Sequence, residues 1–244
     1  DEIAHRVSPS VDFFLLSLIC GSLLSLGLLL DTPAFLILGA ALAPLMAPAV
    51  GLSLGTVVGS PRIFLRSLTG LFFGGLMVCL SGWATGSYAQ EWMGETHYLA
   101  HLHAQIAWPN FLTLAISASM TTIALVKMGK SRSLLITALP SVALAYELFV
   151  PLAIAGFGLG SGIPNLWPDG LVVFSLHLAV SALPGVLVLA LMGFRPLTLF
   201  GYTLGGAVTL AGLVLVIGLM SAGTVAGTGM GLPTSTPTLT PTLT

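Results

Sequence analysis

Charge is what this sequence has least of. Among 244 residues there are 7 Lys and Arg and 8 Asp and Glu, 6% in all, against 56% hydrophobic residues. The mean hydropathy is +1.04. A soluble domain with so few charges could not keep its surface in solution. So few cations, scattered along the chain, also exclude a nucleic-acid partner. Cysteine is nearly as scarce: Cys20 and Cys79 both fall inside apolar segments, which excludes a disulfide framework or a thiolate metal site. The phosphate-binding glycine loop and the His-Glu-x-x-His motif are missing. No cofactor is implied, and the expectation is that the chain is not an enzyme.

Long apolar runs are abundant instead. Seven segments, roughly 12–30, 33–58, 67–88, 108–126, 133–158, 170–193 and 197–222, reach about the 20 residues needed to cross a bilayer. The fold class expected is all-α transmembrane, with the lipid bilayer as first partner. Charge placement sets a direction. With the N-terminus inside, Arg6, Arg62, Arg66, Lys127, Lys130, Arg132 and Arg195 all fall on the cytoplasmic side, as the positive-inside rule requires. Asp31, Glu91, Glu95 and Asp169 fall on the other side, near Trp83, Trp92, Trp108 and Trp167. The chain then divides into a cytoplasmic N-terminal segment 1–11, a three-span unit 12–88 and an extracytoplasmic connection 89–107. A second three-span unit 108–193, a seventh span 194–222 and a Thr/Pro-rich extracytoplasmic tail 223–244 follow.

Helix breakers sit where they are least expected. GAALAPLMAPAVGLSLG (39–55) places Pro44, Pro48 and Gly51 inside the second span, and ALPSVALAYELFVPLAIAGFGLG (138–160) places Pro151 and Gly156 inside the fifth. Each has Pro-Leu followed by a Gly-x-small-Leu-Gly pattern. The echo falls on the second span of each group of three, so the units run in opposite directions. The sequence therefore predicts two inverted three-helix repeats with broken second helices, plus one extra C-terminal helix. A break at membrane depth survives only when protein covers it or when it lines a cavity. Paired breaks of this kind point to a transport site, and the alternative is proline kinks with glycine-mediated packing.

The same residues carry a resemblance. GAALAPLMAPAVGLSLG, the WPN at 108–110, the ALPSVALAYELFVPLAIAGFGLG block, FSLHLAV in span six and GFRP at 193–196 resemble a bacterial and archaeal multi-pass membrane family, domain of unknown function 389. The resemblance implies location in a bacterial or archaeal cell membrane and names no activity. Relative to that pattern, Val150 replaces a proline before Pro151, Glu147 stands at an apolar position and His177 replaces an Asn.

Glu147 is the only acid deep within a span, and a buried carboxylate must be neutralised, paired or wet. His177, mid-span in the next segment, is its candidate partner. The candidate binding set is Pro44, Pro48, Gly51, Ser53, Glu147, Pro151, Gly156 and His177. The favoured function is a transporter or channel for a small solute or ion, open to proton coupling and to self-association as a homo-oligomer. A structural or regulatory membrane module is the rival. A weaker alternative is an outward-facing metal-dependent enzyme at His97 and His101, although the stretch around them reads first as an interfacial helix with solvated histidines.

Overall fold

The computed structural model describes residues 11–44, 46–92, 97–127 and 134–195, with 203, 206–207, 210–214 and 217–218. All regular structure among them is helical. The helices are α1 (Val11–Leu29), α2 (Pro33–Leu42), α3 (Ala47–Val58), α4 (Pro61–Trp92), α5 (Tyr98–His103), α6 (Trp108–Lys127), α7 (Leu134–Ser161) and α8 (Leu166–Leu191). Of these, α1, α4, α6, α7 and α8 are long and apolar enough to cross a membrane, and α2 with α3 makes a sixth crossing if the bent pair is one span. Of the expected seventh span only scattered helical positions belong to the described residues. The tail, Arg6, Glu95, Lys130 and Arg132 lie outside them.

Local chemistry sets the helix ends. Pro33 and Pro48 occupy first-turn positions of α2 and α3, where a missing N–H leaves no gap. Gly59 closes α3 in the left-handed region at φ 68°. The Ser60 N–H then reaches back to the Gly55 carbonyl at 2.9 Å, a Schellman-type stop that Pro61 follows directly.

Of the membrane-length helices, α7 is the most buried. Leu144, Ala145, Leu148, Phe149, Ile154 and Phe157 are each at most 1% exposed. It packs against α1, α2, α4, α6 and α8, while α3 packs against α4, α6 and α8. The closest seam joins α4 to α7. A Cβ on Gly82 would strike the Ala153 carbonyl, one on Gly86 the Phe157 carbonyl, one on Gly156 the Cys79 carbonyl and one on Gly160 the Trp83 carbonyl. Both helices thus present Gly-xxx-Gly pairs that let their backbones touch, as membrane helices do without a hydrophobic drive between them.

The ends of the bundle differ in charge. Contacts of Gly55 with Phe64, and of Gly185 with Ser53 and Thr122, gather one end. There lie Arg62 and Arg66 in the first turns of α4, Lys127 in the last turn of α6 and Arg195 after α8. The opposite end holds Asp31 and Asp169.

Two expectations change here. The second span is broken, with α2 and α3 meeting at a 58° bend. The fifth is not: α7 runs uninterrupted through Pro140 and Pro151, because α4, α6 and α8 clasp it on several sides and its freed carbonyl finds a new donor. The second correction concerns the histidines of the α5 stretch, of which His101 is exposed and the other two are not solvated. His97 is 4% exposed, with its ring 4.9 Å from that of Phe157, while His103 reaches Tyr146. Phe157 and Tyr146 lie about 16 Å apart along α7, so α5 descends beside that helix.

Candidate functional site

Glu147 sits midway along α7, about 20 Å from either end at 1.5 Å per residue. Four residues on is Pro151, which has no N–H to return to the Glu147 carbonyl. His177 of α8 answers that carbonyl: its Nδ1 lies 2.8 Å from the Glu147 backbone oxygen. A carbonyl only accepts, so Nδ1 carries the proton and Nε2 is the bare lone pair of a neutral ring. The Glu147 Oε2 lies 3.5 Å from the same Nδ1. His177 is 1% exposed, and its Nε2 has no hydrogen-bond partner among the described residues. Phe111 of α6 closes this side, its ring 6.2 Å from the imidazole in an edge arrangement.

A second polar link lies one residue away. The Nδ1 of His103 is 2.9 Å from the Leu99 carbonyl, which fixes that nitrogen as the donor. Its Nε2 therefore accepts from the Tyr146 hydroxyl at 2.8 Å. The other end of α5 is held by the Asp31 carboxylate, which accepts from the Tyr98 N–H at 2.9 Å and the Leu99 N–H at 2.7 Å. Asp31 itself turns the chain in the left-handed region at φ 51°. An acid suits the start of a helix, where amide groups lack partners.

The bend between α2 and α3 is covered by α7. The Met46 N–H, released from helical bonding, donates to Ser141 Oγ at 2.9 Å. Met46 is 0% and Val50 3% exposed, and Pro44 and Pro48 are buried, so the break is packed in protein. Ser141 lies about 15 Å along the helix from Pro151. The bend therefore meets α7 beside Pro140, not at Pro151.

The structure thus divides the residues selected from the sequence. It brings Glu147, Pro151 and His177 together. Pro44, Pro48 and Gly51 belong to the bend and to α3. Ser53 donates to the Ala182 carbonyl at 3.1 Å, about 7.5 Å along α8 from His177 by the same rise. Gly156 is consumed in the seam with α4. Sequence reasoning missed Phe111, Tyr146 and the clasp by Asp31. Only Tyr146 carried a signal, as the neighbour of Glu147. For the metal alternative, His97 is buried while His101 is exposed, and no group of three or more metal-ligating side chains exists among the described residues. Two apolar grooves include neither Glu147 nor His177. One of about 520 Å³ lies between α6 and α7, lined by Ile116, Ser117 and Pro140 among others. Another of about 270 Å³ lies between α4, α7 and α8.

Fold and site together define an all-helical membrane protein with an acid and an imidazole buried side by side at mid-helix. The chain belongs to the family described as Domain of unknown function (DUF389), which matches residues 40–212. No curated protein and no solved structure matches it.

Proposed function

We propose that this protein is a transporter or channel for a small solute or ion, with proton exchange at Glu147 and His177. The observation that carries this reading is the pair itself. An acid and a histidine lie at the middle of two membrane-length helices, the Nε2 of His177 without a partner among the described residues. Ionisable groups at such depth are expensive to keep and mark ion or proton pathways. The site proposed from sequence at paired breaks moves to this pair, because only the second span is broken.

The packing supports an inverted repeat of α1–α4 and α6–α8. Exchanging α1 with α6, the α2–α3 pair with α7, and α4 with α8 turns each main contact into another main contact. Thus α1 on α2 answers to α6 on α7, α1 on α4 to α6 on α8, α3 on α4 to α7 on α8, and α4 on α7 to α8 on α3. Three crossings per unit make the units antiparallel, the arrangement of many secondary transporters. The basic residues at one end support a cytoplasmic N-terminus, in a bacterial or archaeal cell membrane. We assign the protein no enzymatic activity and leave homo-oligomers to the measurement of its mass in detergent.

The test is proton and ion flux in vesicles reconstituted with wild type and with Glu147→Gln. Flux that needs the wild-type acid supports the reading, and equal flux in both overturns it. A structural or regulatory module is the second reading. It is favoured by the close packing at the bend and by the glycine seam of α4 and α7. Absence of flux in wild-type vesicles, across a panel of small ions and solutes, would decide for it.

A further inference from the structure

The clasp of α5 reaches beyond the buried pair. This helix starts at the bundle end that carries Asp31 and finishes against Tyr146, the residue before Glu147. It therefore covers the depth between that end of the protein and the Glu147–His177 pair. Its buried side is sealed by His97, Leu99 and Ala100, at 4%, 6% and 0% exposure. It packs only on α7 and α8 among the main contacts, and its side-chain attachments are few. The Asp31 carboxylate holds the amides of Tyr98 and Leu99. The Tyr146 hydroxyl holds His103.

We propose that α5 is an outward gate over the Glu147–His177 pair, hinged at Asp31 and bolted by the His103–Tyr146 hydrogen bond. A helix of 6 residues is too short to persist on its own. Its place is set by these hydrogen bonds together with the burial of Leu99 and Ala100 in the core, so weakening the bonds loosens the element without dismantling the α4–α7 seam. Opening exposes Tyr146 and then Glu147 to the side on which Asp31 lies. The inference rests on the reading of that pair as the exchanging site, since it supplies what the gate guards.

The experiment uses the full chain with Cys20→Ser and Cys79→Ser and one reporter, Glu147→Cys, in sealed vesicles. A membrane-impermeant maleimide is added from the Asp31 side. With the attachments intact, labelling is slow. Asp31→Asn in the same background should speed labelling about tenfold, as loss of a charge-assisted hydrogen bond from the closed state implies. Tyr146→Phe, which removes only the hydroxyl, should act in the same direction without touching the hinge. Amide exchange by mass spectrometry then separates opening from unfolding: Tyr98–His103 should exchange faster while Gly82–Gly86 and Gly156–Gly160 stay protected. Unchanged labelling with both variants, or fast labelling with both attachments intact, overturns the gate. Flux indifferent to Glu147→Gln would overturn the exchanging pair and leave the labelling result standing, so the two failures are distinguishable.

Discussion

Pro151 has no N–H, and that single lack decides where His177 sits. The Glu147 carbonyl loses its helical donor and takes the imidazole Nδ1–H at 2.8 Å instead. The donor is thus a histidine from another helix. His177→Leu should therefore cost about 1–3 kcal/mol, the penalty of an unpaired buried carbonyl. Pro151→Ala supplies the missing N–H, and in that background His177→Leu should cost less. A double-mutant cycle by thermal unfolding in detergent should give a coupling of about 1 kcal/mol or more. Strict additivity would mean that proline and histidine do not share the carbonyl. Glu147→Leu breaks no such bond, because His177 keeps its hydrogen bond to the backbone carbonyl of residue 147. Its melting temperature should stay within a few degrees of wild type, while any proton-coupled flux disappears.

At the scale of helices, glycine separates two jobs that look alike in the sequence. GFGLG at 156–160 and GLSLG at 51–55 both read as flanks of a break. In the structure Gly156 and Gly160 press α7 onto the backbone of α4, while Gly55 admits Phe64 at the start of α4. A side chain at Gly156 meets a carbonyl, which cannot rotate away. Gly156→Leu should cost about 3 kcal/mol or more by overpacking, read as loss of monodisperse protein or a fall in unfolding temperature. The same substitution at Gly193, where a Cβ would meet nothing within 4 Å, has only its left-handed φ of 90° to contend with and should cost less. The bend has its own dependence on α7. Ser141→Ala leaves the Met46 N–H without its acceptor and should destabilise by about 1–3 kcal/mol. Ser141→Thr, which keeps the oxygen, should retain most of that stability.

For the whole molecule, direction across the membrane is the property most open to test. Single cysteines at Arg62, Lys130 and Arg195 should resist an impermeant reagent applied from outside, and one at Asp169 should react. Equal labelling of Lys130 and Asp169 from one side would end the scheme of alternating crossings. A symmetric bundle also predicts that paired seams fail together. Bulky residues at the α4–α7 seam and at the α3–α8 contact, where Gly185 admits Ser53, should both lower stability. A substitution tolerated at one and lethal at the other would argue against equivalent halves.

Membrane class, helical fold and the positions of five membrane-length helices and of the bent pair were legible in the sequence, because they follow from length and apolarity, which each segment carries by itself. Arg62, Arg66, Lys127 and Arg195, the basic residues among those described, likewise announced a shared end before any packing was known. Family membership was carried by short blocks such as GAALAPLMAPAVGLSLG. Glu147 and His177 stood out singly as polar residues in apolar runs. Their pairing did not, because a hydrogen bond between helices depends on how α7 and α8 rotate against each other. The break at 43–46 could be suspected from Pro44 and Pro48, yet Pro140 and Pro151 have the same chemistry and leave α7 whole. Proline removes one donor in every case; what a neighbour offers in return decides whether the helix bends. The inward course of α5 was hidden for the same reason. Its histidines looked like a solvated face, and only the carboxylate of Asp31 and the hydroxyl of Tyr146, both distant in sequence, place it against α7.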